Sequence, residues 1–309
     1  MTVRVRAFHR ADRDQLADLV NAHVAAVVPN ASVSVQALMS HLEREPGEFI
    51  VDPWVEERAT LVAEQRGRIV AAAHLLRYGR DERVSPSYRG AGEIRWLLCW
   101  PAASYWPDAD RAGDALATAA LAVLDRWRVD RSYADGTLPV PGVYGVPEQW
   151  PHVRAIYERA GFRADGRTEV VFLARVADLL RADVPPLPGL ACRRTLGVNG
   201  TRLSAVQGTH VIGYIEVDTT LDAGSRSSRL GGWADIGNLQ VDEEHRRKGV
   251  ATWLLGLAAD WLELGGVARV LDYATVDEPG FEEQVAFLAK VGFRELTRTV
   301  RGMVREAAS

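Results

Sequence analysis

The polarity of the residues alternates along several stretches near the start of this 309-residue chain. Such alternation sends successive side chains to opposite faces of a strand, and it predicts strands near Val3–Ala7, Ala59–Glu64, Ile69–Arg77 and Gly92–Trp100. Between the second and third of these, Gln65–Arg68 contains a glycine and predicts a hairpin turn. The pattern therefore predicts a sheet built largely from neighbouring strands.

Apolar residues spaced three or four apart predict helices between and after these strands. Asp12 is placed as the N-cap of the first helix, ahead of an apolar stripe that includes Leu16 and Leu19. The stripe of a later helix includes Val250, Leu254 and Leu264. The predicted helices are Asp12–His23, Val33–Arg44, Asp114–Trp127, one ending at Tyr157–Phe162, and Val250–Leu264.

The second part of the chain repeats short signatures of the first part. Several matches share one offset of 142 residues, and later matches drift to 136 and 131, as loops of unequal length would cause. The matches are Ala63 with Ala205, Gln65 with Gln207, Glu93 with Asp235, Ile94 with Ile236, Gly113 with Gly249, and Ala160–Arg163 with Val291–Arg294. We infer an internal duplication, whose second copy lacks the two early helices.

A proline-rich segment, Val184–Gly189, separates the two copies. Its three prolines disfavour both helix and central strand, so the segment is interpreted as a linker. We expect one module at residues 1–184 and a second at residues 189–309.

The composition narrows the class of protein. A formal net charge of −4 disfavours a general nucleic-acid role. No apolar run is long enough to span a membrane, the N-terminus does not resemble a signal peptide, and Cys99 and Cys192 form no disulfide framework. We expect a cytoplasmic protein without nucleic-acid or membrane partners. The seven histidines lack metal-ligand spacing, so no metal is expected.

The most informative motif lies between a predicted strand at Trp233–Val241 and the helix that begins near Val250. Its residues, Arg246-Arg247-Lys248-Gly249-Val250-Ala251, place three cations and a glycine at a helix start. The first N–H groups of a helix have no internal partners and attract anions, and glycine permits close approach of the backbone. The motif predicts a phosphate-binding loop, with a solvated turn as the alternative.

Arg246-x-x-Gly249-x-Ala251 resembles the coenzyme A motif, Gln/Arg-x-x-Gly-x-Gly/Ala, of the GNAT N-acetyltransferases. Ala289–Phe293 and Tyr157–Phe162 resemble the Tyr-Glu-Lys-x-Gly-Phe that closes the domain in that family. The resemblance implies an α/β fold of two tandem GNAT-like modules, each a mixed, mostly antiparallel central sheet flanked by helices.

The resemblance also implies an acetyl-coenzyme A site in the C-terminal module. The backbone of Leu239, Gln240 and Val241 would bind the pantetheine amides, and an amide there would polarise the thioester carbonyl. The pyrophosphate would be held by Arg246, Arg247, Lys248, Gly249, Val250, Ala251 and Thr252.

The implied reaction is transfer of the acetyl group to the amine of a small molecule, for which a proton must leave the amine. Asp235 stands where many members carry a glutamate base. The family's tyrosine acid falls at Leu288, and its adenosine-side asparagine falls at Phe281. Tyr273 is the candidate substitute for the acid.

The N-terminal copy keeps Glu93 and Tyr157 at the carboxylate and acid positions. Its loop, Asp110–Ala115, carries aspartates that would repel pyrophosphate, so we expect a degenerate cofactor loop. Two alternatives stay open: the N-terminal module is the active one, or the protein is a catalytically inactive acyl-coenzyme A sensor.

Without the early helices, the C-terminal copy needs a neighbour to wall its acceptor pocket. The N-terminal module or a second copy of the chain would supply that wall, which leaves a homodimer open. The candidate pocket residues are Trp96, Trp100, Trp106 and Trp150, with core packing as the alternative, and the hairpin at Leu221–Gly232 is a candidate cover.

Overall fold

The computed structural model describes residues 2–45, 50–101, 108–134, 142–182, 184–219 and 232–306. The chain forms two compact units. Unit 1 comprises Met1–Thr168 and Thr297–Ser309, and unit 2 comprises Glu169–Leu296. Trp106 and most of the Leu221–Gly232 segment lie outside the described residues. Within the described ranges, no helix is both long and apolar enough to cross a membrane.

Unit 1 is built on a six-stranded sheet with the order β1-β2-β3-β4-β5-β14. β4 and β5 are parallel, and the other neighbours are antiparallel. β6 and β13 pair with each other but are not part of this sheet. The elements are β1 Arg4–Ala7, α1 Arg13–Val27, α2 Val35–Glu43, β2 Val55–Gln65, β3 Arg68–Tyr78, β4 Gly92–Cys99, α3 Ala109–Arg126, β5 Arg131–Ala134, β6 Val146–Pro147, α4 Pro151–Arg159, β13 Arg294–Val300, which begins in unit 2, and β14 Met303–Glu306.

Unit 2 has a matching run of strands, in the order β7-β12-β11-β10-β9-β8, within an eight-stranded sheet that also contains β6 and β13. β11 and β12 are parallel, and the remaining neighbours are antiparallel. Its elements are β7 Thr168–Arg175, β8 Leu190–Gly197, β9 Gly200–Gln207, β10 His210–Asp218, β11 Gly232–Val241, α5 Val250–Leu264, β12 Val267–Thr275 and α6 Phe281–Val291. The expected pair of mixed, mostly antiparallel sheets flanked by helices is confirmed.

Each sheet contains a strand from a distant part of the chain. In unit 1, β14 pairs with β5, from Met303 opposite Ala134 to Glu306 opposite Arg131. In unit 2, β7 pairs with β12, although β7 precedes the proline-rich segment. The compact units therefore divide the chain at other residues than the linker at 184–189, and the module limits of 1–184 and 189–309 stay a prediction.

The apolar stripe of α5 forms the centre of the unit 2 core. Val250, Leu254 and Ala258 are buried with Ile215 of β10. Leu264, which the spacing assigned to the same stripe, is exposed because it ends the helix. β8 and β9 pair as a hairpin through Gly197 and Gly200, so the two early helices of unit 1 have no counterpart there.

The sheets also share a β-bulge at equivalent positions. In unit 1, the register between β3 and β4 shifts around Arg95. In unit 2, the register between β10 and β11 shifts around Gly237, which is 142 residues later. The common offset extends from the sequence signatures to this backbone irregularity, which supports the duplication.

Candidate functional site

β11 and β12 separate part-way along unit 2. Their parallel pairing ends where Asp235 lies opposite Leu271. β11 nevertheless continues to Val241, held by β10 on its other edge, and β12 continues to Thr275. We call the space between residues 236–241 of β11 and residues 272–275 of β12 the wedge. A parted pair of parallel strands presents backbone N–H and C=O groups along the wedge for a ligand.

The bulge at Gly237 contributes to this separation. A bulge adds one residue to one strand and bends it. A Cβ atom on Gly237 would lie 2.4 Å from the Cβ of Asn199 in the β8–β9 turn, so glycine is required for close packing here. The Asn199 amide donates to the Gly237 carbonyl at 3.3 Å and fixes the bend.

The basic loop, residues 246–249, joins the end of β11 to α5. All four residues are exposed. Arg247 has φ 58° and Gly249 has φ 87°, so two residues adopt left-handed backbone immediately before the helix. Trp253 N–H donates to Gly249 O, and the N–H groups of the helix residues before Trp253 have no partner inside the helix. The loop therefore presents backbone donors and cationic side chains at one exposed helix start, which suits an anion.

The predicted cofactor residues lie along one path. Leu239, Gln240 and Val241 form the last part of β11 beside the wedge, and Thr252 lies in the first turn of α5. The Arg246 side chain donates to the Val241 carbonyl at 3.2 Å, which ties the basic loop to the end of β11. Their role in binding stays a prediction.

The acid–base candidates of unit 2 lie where the wedge begins. Asp235 is half-buried on β11, and Tyr273 is half-buried on β12. Leu288 and Phe281, at the family's tyrosine and asparagine positions, belong to or pack against the apolar core. The tyrosine of the family thus has no counterpart at that position.

Sequence reasoning missed Asp272, a buried carboxyl directly after the last β11–β12 pair. Burial, together with the nearby Asp235 carboxylate, raises the pKa of Asp272 from 3.8 to about 7, although a hydrogen bond from Tyr273 N–H opposes the shift. The signal available in the sequence was an aspartate within the apolar run Val270–Ala274.

A family comparison addresses this part of the chain. The profile of the acetyltransferase (GNAT) family matches residues 179–293. These residues form a GNAT domain. The strand–loop–helix segment that contains the wedge and the basic loop lies inside the matched range. No curated protein matches the chain.

Solved structures extend the likeness in fold over the whole chain. A tandem GNAT protein from the clavulanic acid biosynthesis pathway is 16% identical, with a TM-score of 0.64 over 100% of this chain and 99% of its own. A GCN5-related N-acetyltransferase from Sphaerobacter thermophilus is 15% identical, with a TM-score of 0.56 over 98% and 95%. A glucosamine N-acetyltransferase region of a fungal multi-domain GH3 β-N-acetylglucosaminidase is 16% identical, with a TM-score of 0.60 over 98% and 38%. The chain therefore has the tandem GNAT fold.

The equivalent position in unit 1 is occupied by a buried ion network. Arg95, the bulge residue there, contacts Glu93 at 3.3 Å and Glu45 at 3.2 Å. The Tyr78 hydroxyl donates to Glu93, and burial followed by the Glu93 charge raises the pKa of Tyr78. Where the GNAT domain of unit 2 carries a glycine, unit 1 carries an arginine that is neutralised by two carboxylates.

The other described candidate residues of unit 1 are buried core residues, except Trp100, which is half-buried. Tyr157 is fully buried and packs edge-to-face on Phe162 at 5.5 Å. Trp96 and Trp150 are buried, and Trp150 donates to the His23 carbonyl at 3.2 Å. Trp100 donates to the Ile69 carbonyl at 3.2 Å. Structural packing, the alternative interpretation of Trp96, Trp100 and Trp150, accounts for the contacts that they make.

The expected loop at Asp110–Ala115 and the helix start at Asp114 were wrong. α3 begins at Ala109, so the whole segment is helical. A Cβ atom on Gly113 would lie 2.3 Å from the Ile156 side chain, so this glycine serves the packing of α3 on α4. Gly113 is therefore not the counterpart of Gly249, which precedes its helix. Among the described residues, no three metal-ligating side chains cluster to hold a metal ion.

Proposed function

We propose that the protein is an N-acetyltransferase that transfers an acetyl group from acetyl-coenzyme A to the amine of a small molecule, with the cofactor bound in unit 2. The observation that carries this proposal is the continuity of the wedge with the exposed basic loop at the start of α5. An elongated ligand with a polar amide arm and a phosphate end suits these two neighbouring surfaces.

Each part of the site has a distinct role in this proposal. The peptide groups of residues 239–241 hydrogen-bond the pantetheine amides, and one N–H group stabilises the oxyanion that forms on the thioester carbonyl. The basic loop and the first N–H groups of α5 hold the pyrophosphate. Asp235 accepts the proton that the amine loses, through a water because its side chain is short.

Calorimetry with acetyl-coenzyme A tests the binding site. Gly249→Glu adds a carboxylate beside the pyrophosphate position and abolishes binding. Gly208→Glu is the matched control, because Gly208 also has positive φ, lies in the same unit, and a Cβ atom added there would meet no atom within 4 Å outside its chain neighbours. Unchanged binding to Gly249→Glu would show that unit 2 does not hold the cofactor and would favour unit 1.

One observation favours the second candidate, an inactive acyl-coenzyme A sensor: an apolar side chain, Leu288, replaces the family's tyrosine in the core. A thiol-release assay with acetyl-coenzyme A across a panel of primary amines separates the two functions. An enzyme releases coenzyme A with at least one amine, whereas a sensor binds acetyl-coenzyme A tightly and releases none.

A further inference from the structure

Asp272 lies at the point where the wedge opens. It follows Leu271, whose pairing with Asp235 is the last between β11 and β12. Asp272 as a whole residue is 7% exposed. Because the strands part at this residue, the Asp272 side chain lies at the apex of the wedge rather than inside a continuous ladder.

The side of the sheet on which Asp272 lies follows from its neighbours along β12. Side chains alternate between the two faces of a strand, so Asp272 shares a face with Val270 and Ala274. Both belong to the apolar core that contains Leu288 and Val291 of α6. Asp272 therefore lies on the α6 side of the sheet, the side that carries Leu288 where the family has its tyrosine.

Asp235 lies on the opposite side. Ala234 and Ile236, which flank it along β11, both belong to the same core as α6. By the same alternation, the Asp235 side chain lies on the other face of the sheet. Two carboxyl groups thus stand at the apex of the wedge, one on each face.

The environment of Asp272 keeps a proton on its carboxyl. Oδ1 accepts from Tyr273 N–H at 2.7 Å, and no other protein donor or cation contacts the carboxyl among the residues that the structure describes. Phe172 lies opposite it on β7. Burial without a counter-charge favours the neutral acid, and the Asp235 charge adds to this effect, which places the pKa of Asp272 at about 7.

The other charged groups on the elements around Asp272 lie away from it. On α6, the charged side chains are exposed. On α5, two acidic groups pair with Arg181 at the far end of the helix. On β7, the charged residues lie opposite Thr275 and Arg269, three residues to either side. These charged residues are Glu282, Glu283, Lys290, Asp260, Glu263, Glu169 and Arg175.

We propose that Asp272 is the general acid of this site and donates its proton to the coenzyme A sulfur as the acetyl group leaves. This inference rests on the proposed function. The amine nitrogen forms a bond to the acetyl carbon, and the carbon–sulfur bond breaks. The nitrogen loses a proton to Asp235 on one face, and the sulfur gains the Asp272 proton on the other. Before the next cycle, Asp235 releases its proton to solvent and Asp272 takes one up from solvent.

Steady-state thiol release with Asp272→Asn tests the role. General acids contribute roughly 100-fold or more to turnover, so kcat falls by about that factor while the KM for acetyl-coenzyme A is retained. The wild-type rate declines as pH rises through about 7, and the variant loses this decline. Asp272→Glu, which keeps a carboxyl, recovers part of the rate. Asp235→Asn loses rate but still shows a decline, which moves to lower pH because the Asp235 charge no longer raises the pKa of Asp272.

A measurement on the unaltered protein gives a readout besides activity. Carbon-13 NMR of labelled aspartate, with the Asp272 carboxyl assigned through the Tyr273 amide, follows its titration. Coenzyme A shifts the titration midpoint, whereas desulfo-coenzyme A, which lacks the sulfur, leaves it unchanged. Equal shifts with both ligands would overturn the proposal.

The outcomes distinguish failure of this inference from failure of the proposed function. Wild-type kcat and an unchanged pH profile in Asp272→Asn overturn the inference alone. Absence of acetyl-coenzyme A binding to the wild-type protein overturns the proposed function. Binding without thiol release for any amine overturns both, because no leaving thiolate is then formed.

Discussion

The ionisation of Asp272 predicts a specific dependence of stability on pH. A folded-state pKa of about 7, against an ordinary value of 3.8, means that the folded protein binds the proton more tightly than the unfolded chain does. The stabilisation from this group is fully present below pH 3.8 and is lost as pH rises to about 7. Above that range, the folded state bears the full cost of the buried charge.

The size of the effect follows from the shift. A difference of about 3 pKa units at roughly 1.36 kcal/mol each makes the buried charge cost about 4 kcal/mol at pH 8. Asp272→Asn has no charge to bury, and its side-chain oxygen can still accept from Tyr273 N–H. The unfolding free energy of the variant minus that of the wild type is therefore expected to increase by about that amount between pH 4 and pH 8.

Urea unfolding followed by tryptophan fluorescence, at intervals from pH 4 to pH 8, measures the difference between the two proteins. Using the difference removes the contributions of all other titrating groups. Asp277→Asn, an exposed carboxylate after the same strand, is the control and should match the wild type throughout. A wild-type-minus-variant difference that stays constant with pH would refute a buried, protonated Asp272.

Three further predictions concern other parts of the two units. Arg95→Met leaves the Glu93 charge buried without its cationic partner and should lower the free energy of unfolding in urea by about 3–5 kcal/mol. A decrease of less than about 1 kcal/mol would contradict the buried network. Gly237→Ala places a Cβ atom 2.4 Å from Asn199 and should lower the free energy of unfolding by about 1–3 kcal/mol. Adding Asn199→Gly should restore most of that stability. If the double variant is no more stable than Gly237→Ala, the strain lies elsewhere. Burial, followed by nearby positive charges, lowers the pKa of His74 from 6.5 to about 3, so the stabilisation from its neutral form is present above pH 6.5 and is lost on acidification. His74→Gln should remove that part of the loss of stability at low pH. An unchanged decrease of the unfolding free energy with falling pH in the variant would count against this account.

The sequence was sufficient where a feature depends on local chemistry. The α5 helix and the glycine before it followed from apolar spacing and from the loop residues 246–249, and the fold class followed from the family resemblance that short motifs carry. Local order along the chain determines these features, because a helix start and a hairpin turn depend on a few adjacent residues. The repeat offset of 142 residues was equally accessible, since it needs only a comparison of the chain with itself.

Features that depend on distant pairing were not accessible. The pairing of β14 with β5 and of β7 with β12 brings together strands far apart along the chain. No local pattern states which edge a strand joins, since a sheet edge accepts any strand of suitable polarity. The misplaced start of α3 has a related cause, because Gly113 was interpreted as a loop residue while its function is to admit Ile156.

The importance of Asp272 was hidden for a physical reason. An aspartate in an apolar strand is unusual, but the sequence does not state whether a cation faces it. The structure gives it a backbone donor and a carboxylate neighbour instead of a cation. The difference between an ion pair and a neutral acid therefore depended on packing across β11 and β12.

The divergence of the two units centres on the equivalent bulge positions. In unit 2 the position is Gly237, where a Cβ atom would collide with Asn199 of the β8–β9 turn. In unit 1 it is Arg95, whose charge is held by Glu93 and Glu45 in the buried interior. Glu93, at the position of Asp235, thereby belongs to an internal ion network. In unit 1 the carboxylate at this position is thus held inside the protein by Arg95, whereas β11 and β12 of unit 2 part directly after Asp235, which is why we propose the chemistry for unit 2.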